Sequence, residues 1–242
     1  MFARGRTDRG HFVNVHRAGI YRRGGKRTLD LFLAGIMLVL LSPLIVALVI
    51  AVRALIGSPI FYRQRRPGLN GQDFVPIKFR TMTEARAVDG SLLPDADRLT
   101  SFGRLLRSLS LDEIPELLNV VRGEMSFVGP RPLLTTYLPR YTPRQARRHL
   151  VRPGITGWAQ VNGRNNSTWE QRLCQDEWYV DNLSLALDLK ILFMTLAAVV
   201  RREGVSADGH ATMPEFLGAS SRNIANGDRS EEPAPQPSAA TK

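Results

Sequence analysis

The stretch LFLAGIMLVLLSPLIVALVIAV, Leu31 to Val52, contains 22 residues and no charge. As a helix it would be about 33 Å long, which is enough for a hydrocarbon core of roughly 30 Å. Ser42-Pro43 falls at its middle, where the proline removes one backbone hydrogen bond and clashes with the preceding turn. We therefore predict a membrane helix that bends at this pair, and the Ser42 hydroxyl is the nearest partner for the freed carbonyl of Leu38 or Val39.

Both flanks of this stretch are basic, and the residues concerned are Arg22, Arg23, Lys26 and Arg27 before it and Arg53, Arg63, Arg65 and Arg66 after it. The positive-inside rule would keep both flanks in the cytoplasm, which a single span cannot achieve. A helix over residues 28–57 that enters the membrane, bends and returns satisfies both flanks. We therefore hypothesise a re-entrant membrane helix, and the residues alone leave an ordinary single span with a proline kink equally open.

The composition indicates anionic partners. The chain has 242 residues, a formal net charge of +11 and a pI near 10.7. Such an excess suits anionic lipid or phosphorylated substrates, while no motif for nucleic-acid binding is present. The sequence also lacks GxxxxGK, GxGxxG, HExxH and GxSxG motifs, and its single cysteine, Cys174, excludes a disulfide framework. Nothing in the composition indicates an oligomeric state.

The predicted fold class is α+β, mainly α, with a re-entrant membrane helix joined to a compact cytoplasmic domain over residues 58–218. A basic, flexible arm (1–27) precedes these parts, and a disordered tail rich in Ser, Pro and Ala (219–242) follows them. A small β-hairpin is expected from Pro59 to Phe79, because turn residues separate two β-type runs. Amphipathic helices at the membrane interface are expected to complete the domain.

Hydrophobic spacing predicts the remaining elements. Helices are expected over Phe102–Leu109, from Asp112 to Gly123, over Trp169–Tyr179 and over Leu183–Val200. Ser126–Pro132 and Arg152–Asn165 are expected to be loops because of their glycines and prolines. Tyr137–Val151 alternates Arg with Leu and Tyr, which predicts an interfacial helix facing anionic lipid.

The motif SLDEIPELL, Ser110 to Leu118, offers two compatible interpretations. In the structural one, Asp112 caps a helix and Pro115 occupies its first turn. In the functional one, adjacent carboxylates divide the work between nucleophilic attack on phosphorus and Mg²⁺ binding, since Mg²⁺ prefers hard oxygen ligands. Spacing alone favours the capping role slightly.

Cationic residues surround this motif in the sequence, namely Lys78, Arg80, Arg104, Arg107 and Arg131. Arginine forks match phosphate oxygens in bidentate fashion, although most single surface arginines are merely solvated. Arg131 is the strongest candidate, because Pro130 and Pro132 fix its backbone.

Several motifs together resemble one known family. KRTLDL before a kinked apolar helix, PIFYRQRRPG, KFRTM, RSLSLDEIPELLNV, MSFVGPRP, RPGITGWAQVNGRN, WYVDNLSLALDLKI and GHATMPEFLG occur in this order between Lys26 and Gly218. The chain is thereby similar to the bacterial sugar transferases, and in particular to the small monotopic polyprenyl-phosphate glycosyl-1-phosphate transferases.

The resemblance implies a two-step reaction through a covalent intermediate. Asp112 would attack the β-phosphate of a UDP-sugar and release UMP, and a polyprenyl phosphate such as undecaprenyl phosphate would then accept the phosphosugar. Glu113 would bind Mg²⁺, and Arg107 would contact phosphate. The remaining implied positions are Pro130, Arg131 and Pro132 in the nucleotide site, Lys78, Arg80 and Asp188 with less defined roles, and Ser42 and Pro43 at the break of the re-entrant helix.

The prediction from the sequence is therefore a phosphoglycosyl transferase of the bacterial inner membrane, with its catalytic domain facing the cytoplasm, which starts a polysaccharide or glycoconjugate pathway. Two rivals remain. A membrane-anchored basic module that binds lipid would need no carboxylate pair. A Mg²⁺-dependent nucleotide-sugar hydrolase would pass the phosphosugar to water and would need no polyprenyl phosphate.

Overall fold

The computed structural model describes residues 19–163, 167–201 and 215–218, in which the protein is mostly helical with a few short strands. The helices are α1 (Lys26–Leu55), α2 (Asp95–Arg98), α3 (Ser101–Ser108), α4 (Leu117–Arg122), α5 (Trp158–Gly163), α6 (Trp169–Asn182) and α7 (Leu185–Val200). The strands are β1 (Phe61–Arg63), β2 (Arg66–Pro67), β3 (Asp73–Phe74), β4 (Ile77–Phe79), β5 (Ser126–Val128) and β6 (Gly154–Thr156). The mainly helical fold class is confirmed.

The long helix α1 runs without interruption through Ser42 and Pro43. The Ser42 hydroxyl donates a hydrogen bond of 2.8 Å to the carbonyl of Val39, so the expected partner for a carbonyl freed by proline is confirmed. Tyr21–Leu55 is the one helical stretch within the described residues that is long and apolar enough to cross a membrane. Its re-entrant path stays a prediction.

The prediction of a flexible arm is wrong for Tyr21–Gly25, which lie directly before α1. Tyr21–Gly25 forms a π-helical turn continuous with α1, and residues 1–18 lie outside the described part, as does the predicted tail. The Tyr21 hydroxyl donates to Asp188 Oδ2 at 2.6 Å, and Lys26 Nζ lies 2.5 Å from the same oxygen. These residues are ordered because they supply the partners of a carboxylate that is 2% exposed.

The predicted β-hairpin is confirmed. β1 pairs antiparallel with β4, and β2 pairs antiparallel with β3. The turn between β2 and β3 has positive φ at Asn70 (55°) and Gly71 (74°), which these residue types tolerate better than others. The predicted helices at Phe102–Leu109, Trp169–Tyr179 and Leu183–Val200 are also present, as α3, α6 and α7.

Part of the two predicted loops is a parallel strand pair. Ser126–Val128 forms β5, which pairs with β6 at Gly154–Thr156, and α5 follows directly. The two chain segments cross so closely that a Cβ on Gly154 would lie 2.1 Å from the nitrogen of Gly129. The glycines that indicated loops therefore permit a close backbone crossing.

The predicted interfacial helix over Tyr137–Val151 is wrong. The segment forms two short 3₁₀ turns, Thr135–Arg140 and Gln145–Leu150, with proline at 139 and 143. Its arginines bind carboxylates of the protein, in the pairs Arg140–Glu215, Arg144–Glu177, Arg147–Asp181 and Arg148–Asp176. The Arg-rich pattern thus reflects packing against α6 and the returning segment 215–218.

The main hydrophobic core lies where α1, α4, α6 and α7 meet β5. Ala34, Val120, Val128, Tyr179 and Ile191 are all buried in it. Because α1 contributes to this core and also contacts α4 and β5, the apolar helix is packed against the domain that carries the polar motifs.

Candidate active site

The acidic pair lies on a 3₁₀ turn, Leu111–Glu116, which leads directly into α4. Ser110 precedes this turn with a left-handed backbone (φ 54°), and no side chain caps either the turn or α4. The predicted capping role of Asp112 is therefore wrong. Since the chain enters the turn through Ser110, Asp112 lies inside the turn, and its carboxylate is left for other interactions.

Glu113 is held by two cations. Lys78 Nζ donates to Glu113 Oε1 at 2.5 Å, and the Arg131 guanidinium donates to the same oxygen at 2.7 Å. Burial alone would raise the pKa of Glu113, but the charges of Arg131 and Lys78 lower this pKa to about 2. Glu113 is therefore a carboxylate at any physiological pH. Both ion pairs use Oε1, so Oε2 is left for another ligand.

Asp112 is in a different state from its neighbour. Within the described residues its carboxylate forms no ion pair and accepts no side-chain hydrogen bond. Burial and the adjacent charge of Glu113 raise the pKa of Asp112 above its ordinary value, although Lys78, Arg131 and Arg107 act in the opposite direction. A poorly solvated carboxylate without hydrogen bonds keeps its electron pairs for an electrophile, which suits a nucleophile.

Glu116 is a third carboxylate that sequence reasoning missed. It is 2% exposed, and its Oε1 lies 3.3 Å from Lys78 Nζ. Burial raises the pKa of Glu116 to about 7, although Lys78 opposes this shift. Its position could have been anticipated, because residues three apart on a 3₁₀ turn lie on the same side.

Asn119 places Lys78 beside the acidic turn, and it too was missed. Its side chain accepts from the nitrogen of Ile77 at 3.0 Å and donates to the carbonyl of Val75 at 2.8 Å. Asn119 is fully buried on α4, so these bonds join β4 to the helix that follows the acidic turn. Lys78 is thereby fixed opposite Glu113.

The loop after β5 presents Arg131 from the other side. The Pro130 carbonyl accepts from the nitrogen of Gly154 at 3.1 Å, and the Arg131 carbonyl accepts from Arg148 at 2.6 Å. Both bonds hold the backbone while the Arg131 side chain reaches Glu113, whose charge raises the pKa of Arg131 further. Pro132 lines the same region, so the three residues of this motif are found together.

The other predicted phosphate contacts differ in their surroundings. Arg107 Nε donates to the Thr81 hydroxyl at 3.0 Å, and its guanidinium lies near enough to Asp112 to oppose part of the rise in the pKa of that carboxyl. Arg80 instead donates to the carbonyls of Ser58 and Met82 and pairs with Glu84. These contacts describe a structural role, and phosphate binding by Arg80 stays a prediction.

Asp188, whose role was left undefined, lies outside this network. It accepts from the hydroxyls of Tyr21 and Tyr179 at 2.6 and 2.8 Å and pairs with Lys26. Asp188 therefore fastens the start of α1 to α6 and α7, and the described contacts give it no part in the acidic site.

A groove of about 2,160 Å³ passes the acidic pair. Arg107, Asp112 and Glu113 line it together with Leu33 and Met37 of α1. One wall of this groove is therefore charged and another belongs to the apolar helix. Such a groove can accept a polar substrate and the headgroup of a lipid at the same place.

The carboxylate oxygens beside Asp112 fit a Mg²⁺ ion whose other ligands come from the substrate phosphates and water. The described residues contain no group of three or more His, Cys, Asp or Glu side chains that could hold a metal alone. Mg²⁺ usually needs fewer, since it binds through one or two carboxylates together with substrate phosphates and water. The open Oε2 of Glu113 provides a hard oxygen ligand of this kind.

Comparison with known proteins identifies the family of this chain. The model of a family described as bacterial sugar transferase matches residues 21–202. The chain is 54% identical to the uncharacterized sugar transferase EpsL of Bacillus subtilis over 194 residues, covering 80% of this chain and 96% of that protein. It is 41% identical to the exopolysaccharide production protein ExoY of Sinorhizobium fredii, with 80% and 94% covered. A UDP-glucose:undecaprenyl-phosphate glucose-1-phosphate transferase of Caulobacter vibrioides is 40% identical, with 72% and 69% covered.

Proposed function

Since the chain belongs to the bacterial sugar transferase family, we propose that it transfers a sugar-1-phosphate from a UDP-sugar to undecaprenyl phosphate or a similar polyprenyl phosphate, with release of UMP. The observation that carries this proposal is the contrast within the acidic pair. Asp112 is unpaired among the described residues, whereas Lys78 and Arg131 hold its neighbour Glu113. One carboxylate is thus available for attack and the other is fixed as an anion.

In the first step, an Asp112 oxygen forms a bond to the β-phosphorus of the donor. The bond from this phosphorus to the bridging oxygen breaks, and UMP leaves with the electron pair. Arg131 and Lys78 lie beside the diphosphate and stabilise the charge that develops on its oxygens. The product of this step is a phosphosugar bound to Asp112 as an acyl phosphate.

In the second step, an oxygen of the polyprenyl phosphate attacks the same phosphorus. The bond to Asp112 breaks, and the carboxylate is regenerated. Glu113 would hold Mg²⁺, which when bound offsets negative charge on the phosphates. The covalent intermediate allows the two large substrates to bind one after the other.

The same proposal includes the location. We expect α1 to be a re-entrant helix of the bacterial inner membrane and the catalytic domain to face the cytoplasm, where nucleotide sugars are made. Leu33 and Met37 in the groove would then bring the acidic pair to the level at which the lipid phosphate lies. Transfer there would be the first membrane step of a surface polysaccharide or glycoconjugate pathway, and the relative ExoY is named for exopolysaccharide production.

The decisive experiment measures UMP release from a panel of UDP-sugars, with and without polyprenyl phosphate and Mg²⁺. Asp112→Asn tests the nucleophile, and Asp89→Asn is the matched control, because Asp89 is exposed in a separate turn. We expect release that needs lipid and metal and that is lost in Asp112→Asn alone. Multiple turnover without lipid would instead identify a hydrolase. No release by folded protein would leave the lipid-binding module.

A further inference from the structure

A small cavity of about 70 Å³ lies next to the acidic pair, and two residues of its wall, Arg66 and Glu116, have no role in the steps described above. Arg66, Lys78, Arg131 and Glu116 contribute to its wall. Three of these four side chains are cationic. The space is large enough for a phosphoryl group, and the cavity shares Arg66, Lys78 and Arg131 with the larger groove.

Arg66 is a partly buried cation in the wall of this cavity. It is only partly exposed, and its guanidinium donates to Gln64 Oε1 at 2.6 Å. No carboxylate in the described part of the chain forms an ion pair with it, and burial lowers the pKa of Arg66. A desolvated guanidinium without a counter-ion is unfavourable unless an anion binds to it.

Glu116 provides a second, independent observation in the same cavity. Although Oε1 of this buried carboxyl lies near Lys78, it has no hydrogen-bond partner among the described residues. A buried polar atom without such a partner costs roughly 1–3 kcal/mol. A ligand that fills the cavity would therefore be expected to offer a hydrogen-bonding oxygen as well as negative charge.

We propose that this cavity is a second phosphate subsite, in which Arg66, Lys78 and Arg131 bind a phosphate monoester and Glu116 shares a hydrogen bond with it. The inference rests on the proposed function, in which two phosphate monoesters take part: the leaving UMP and the polyprenyl phosphate acceptor. Phosphate monoesters have a second pKa of about 6, so one of their oxygens can carry a proton near neutral pH.

The two monoesters can use one subsite in turn. Displacement at phosphorus places the attacking and leaving oxygens roughly in line. UMP therefore departs on the side opposite Asp112, and the acceptor must later approach from that same side. A fixed cluster of cations there would first stabilise the leaving phosphate and then hold the attacking one.

The test is a set of binding measurements on the full-length protein in detergent micelles. Isothermal titration calorimetry would give the affinity for inorganic phosphate, UMP, uridine and a short polyprenyl monophosphate. Arg66→Gln removes the cation, and Arg65→Gln is the matched control because Arg65 is exposed and does not line the cavity. We expect Arg66→Gln to weaken phosphate binding about tenfold and to leave uridine binding unchanged, as for the loss of a charge-assisted contact.

The outcomes separate the possible ligands. If Arg66→Gln weakens the binding of UMP alone, the subsite belongs to the leaving nucleotide. If it weakens the binding of polyprenyl phosphate alone, the subsite belongs to the acceptor. If it weakens both, the two ligands share the subsite. Equal affinities in Arg66→Gln and Arg65→Gln for every probe would overturn the subsite, even if wild type transfers sugar. Conversely, the wild type could lack transferase activity and still bind phosphate through Arg66. This result would refute the proposed function and support the subsite. If Arg66→Gln melts at a lower temperature than wild type, Arg66→Lys provides a second test. Lysine keeps the positive charge but cannot bind phosphate in bidentate fashion, so the phosphate affinity of Arg66→Lys should lie between those of wild type and Arg66→Gln.

Discussion

Lys78 Nζ lies 2.5 Å from Oε1 of Glu113, although the two residues are 35 positions apart in the sequence. The same ammonium lies 3.3 Å from Oε1 of Glu116, so one lysine serves two carboxylates of the acidic turn. Its removal would leave Glu116 without its ion-pair partner and Glu113 with Arg131 alone. The lysine therefore affects both the stability of the turn and the electrostatics of the site.

Lys78→Met should lower the free energy of unfolding by about 3 kcal/mol, as for the loss of one partner of a buried ion pair. UMP release should fall about 10²-fold or more, because a cation beside the diphosphate is lost. Urea denaturation and the UMP assay measure the two effects. Lys78→Met combined with Glu113→Gln should recover part of the stability and none of the activity. Full recovery of both would contradict the role of Lys78 in catalysis.

Glu116→Gln should change how stability depends on pH. The pKa of Glu116 is raised to about 7 in the folded protein, against an ordinary value of 4.5. The folded state thus holds this proton more tightly, and stability is lost as pH rises from about 4.5 to 7. The variant lacks this loss, so it should gain about 3 kcal/mol relative to wild type between pH 4.5 and 8. Melting temperatures of both proteins across this range test the shift, and parallel curves would refute it.

Asn119→Leu should destabilise the protein although the side-chain volume is similar. The change leaves the nitrogen of Ile77 and the carbonyl of Val75 without their partner, which should lower stability by about 1–3 kcal/mol per buried group. Because β4 carries Lys78, sugar transfer should fall more than stability alone explains. Asn182→Leu, at an exposed position at the end of α6, is the control and should change neither.

The re-entrant path of α1 predicts that both of its flanks lie on one side of the membrane. Single cysteines at Thr28 and Arg65, in a Cys174→Ser background, report each flank, since both positions are exposed. An impermeant thiol reagent should label neither in intact cells and both in inverted membrane vesicles. Labelling of one flank from outside would establish an ordinary single span.

Local patterns predicted the elements whose determinants are close together in the sequence. The apolar run predicted α1, Asn70 and Gly71 predicted the hairpin, and the adjacent Asp112 and Glu113 indicated the acidic site. Patterns that depend on distant partners failed. The arginines between Tyr137 and Val151 resembled a lipid-facing surface, because their carboxylate partners on α6 are invisible in the segment itself.

The parallel pairing of β5 with β6 was missed for a related reason. Each strand has three residues and is flanked by glycine and proline, so its apolar pattern is too short to indicate a strand. Glu116 was missed because the motif was interpreted through the adjacent pair Asp112 and Glu113 alone, although residues three apart also lie on one side of an α-helix. In the 3₁₀ turn that forms, the third residue after Glu113 returns to the same side.

The attachment of α1 through Asp188 has a consequence for protein engineering. Asp30, on α1, accepts a hydrogen bond of 3.1 Å from the nitrogen of Phe127, four residues before Arg131. Tyr21 and Lys26 meanwhile satisfy Asp188 from the same end of the chain. We therefore expect that α1 cannot be exchanged for an unrelated transmembrane segment or a lipid tail. A foreign anchor would hold the domain at the bilayer, but Asp188 and the nitrogen of Phe127 would lose the partners that this end of the chain supplies. A chimera should reach the membrane and still be inactive.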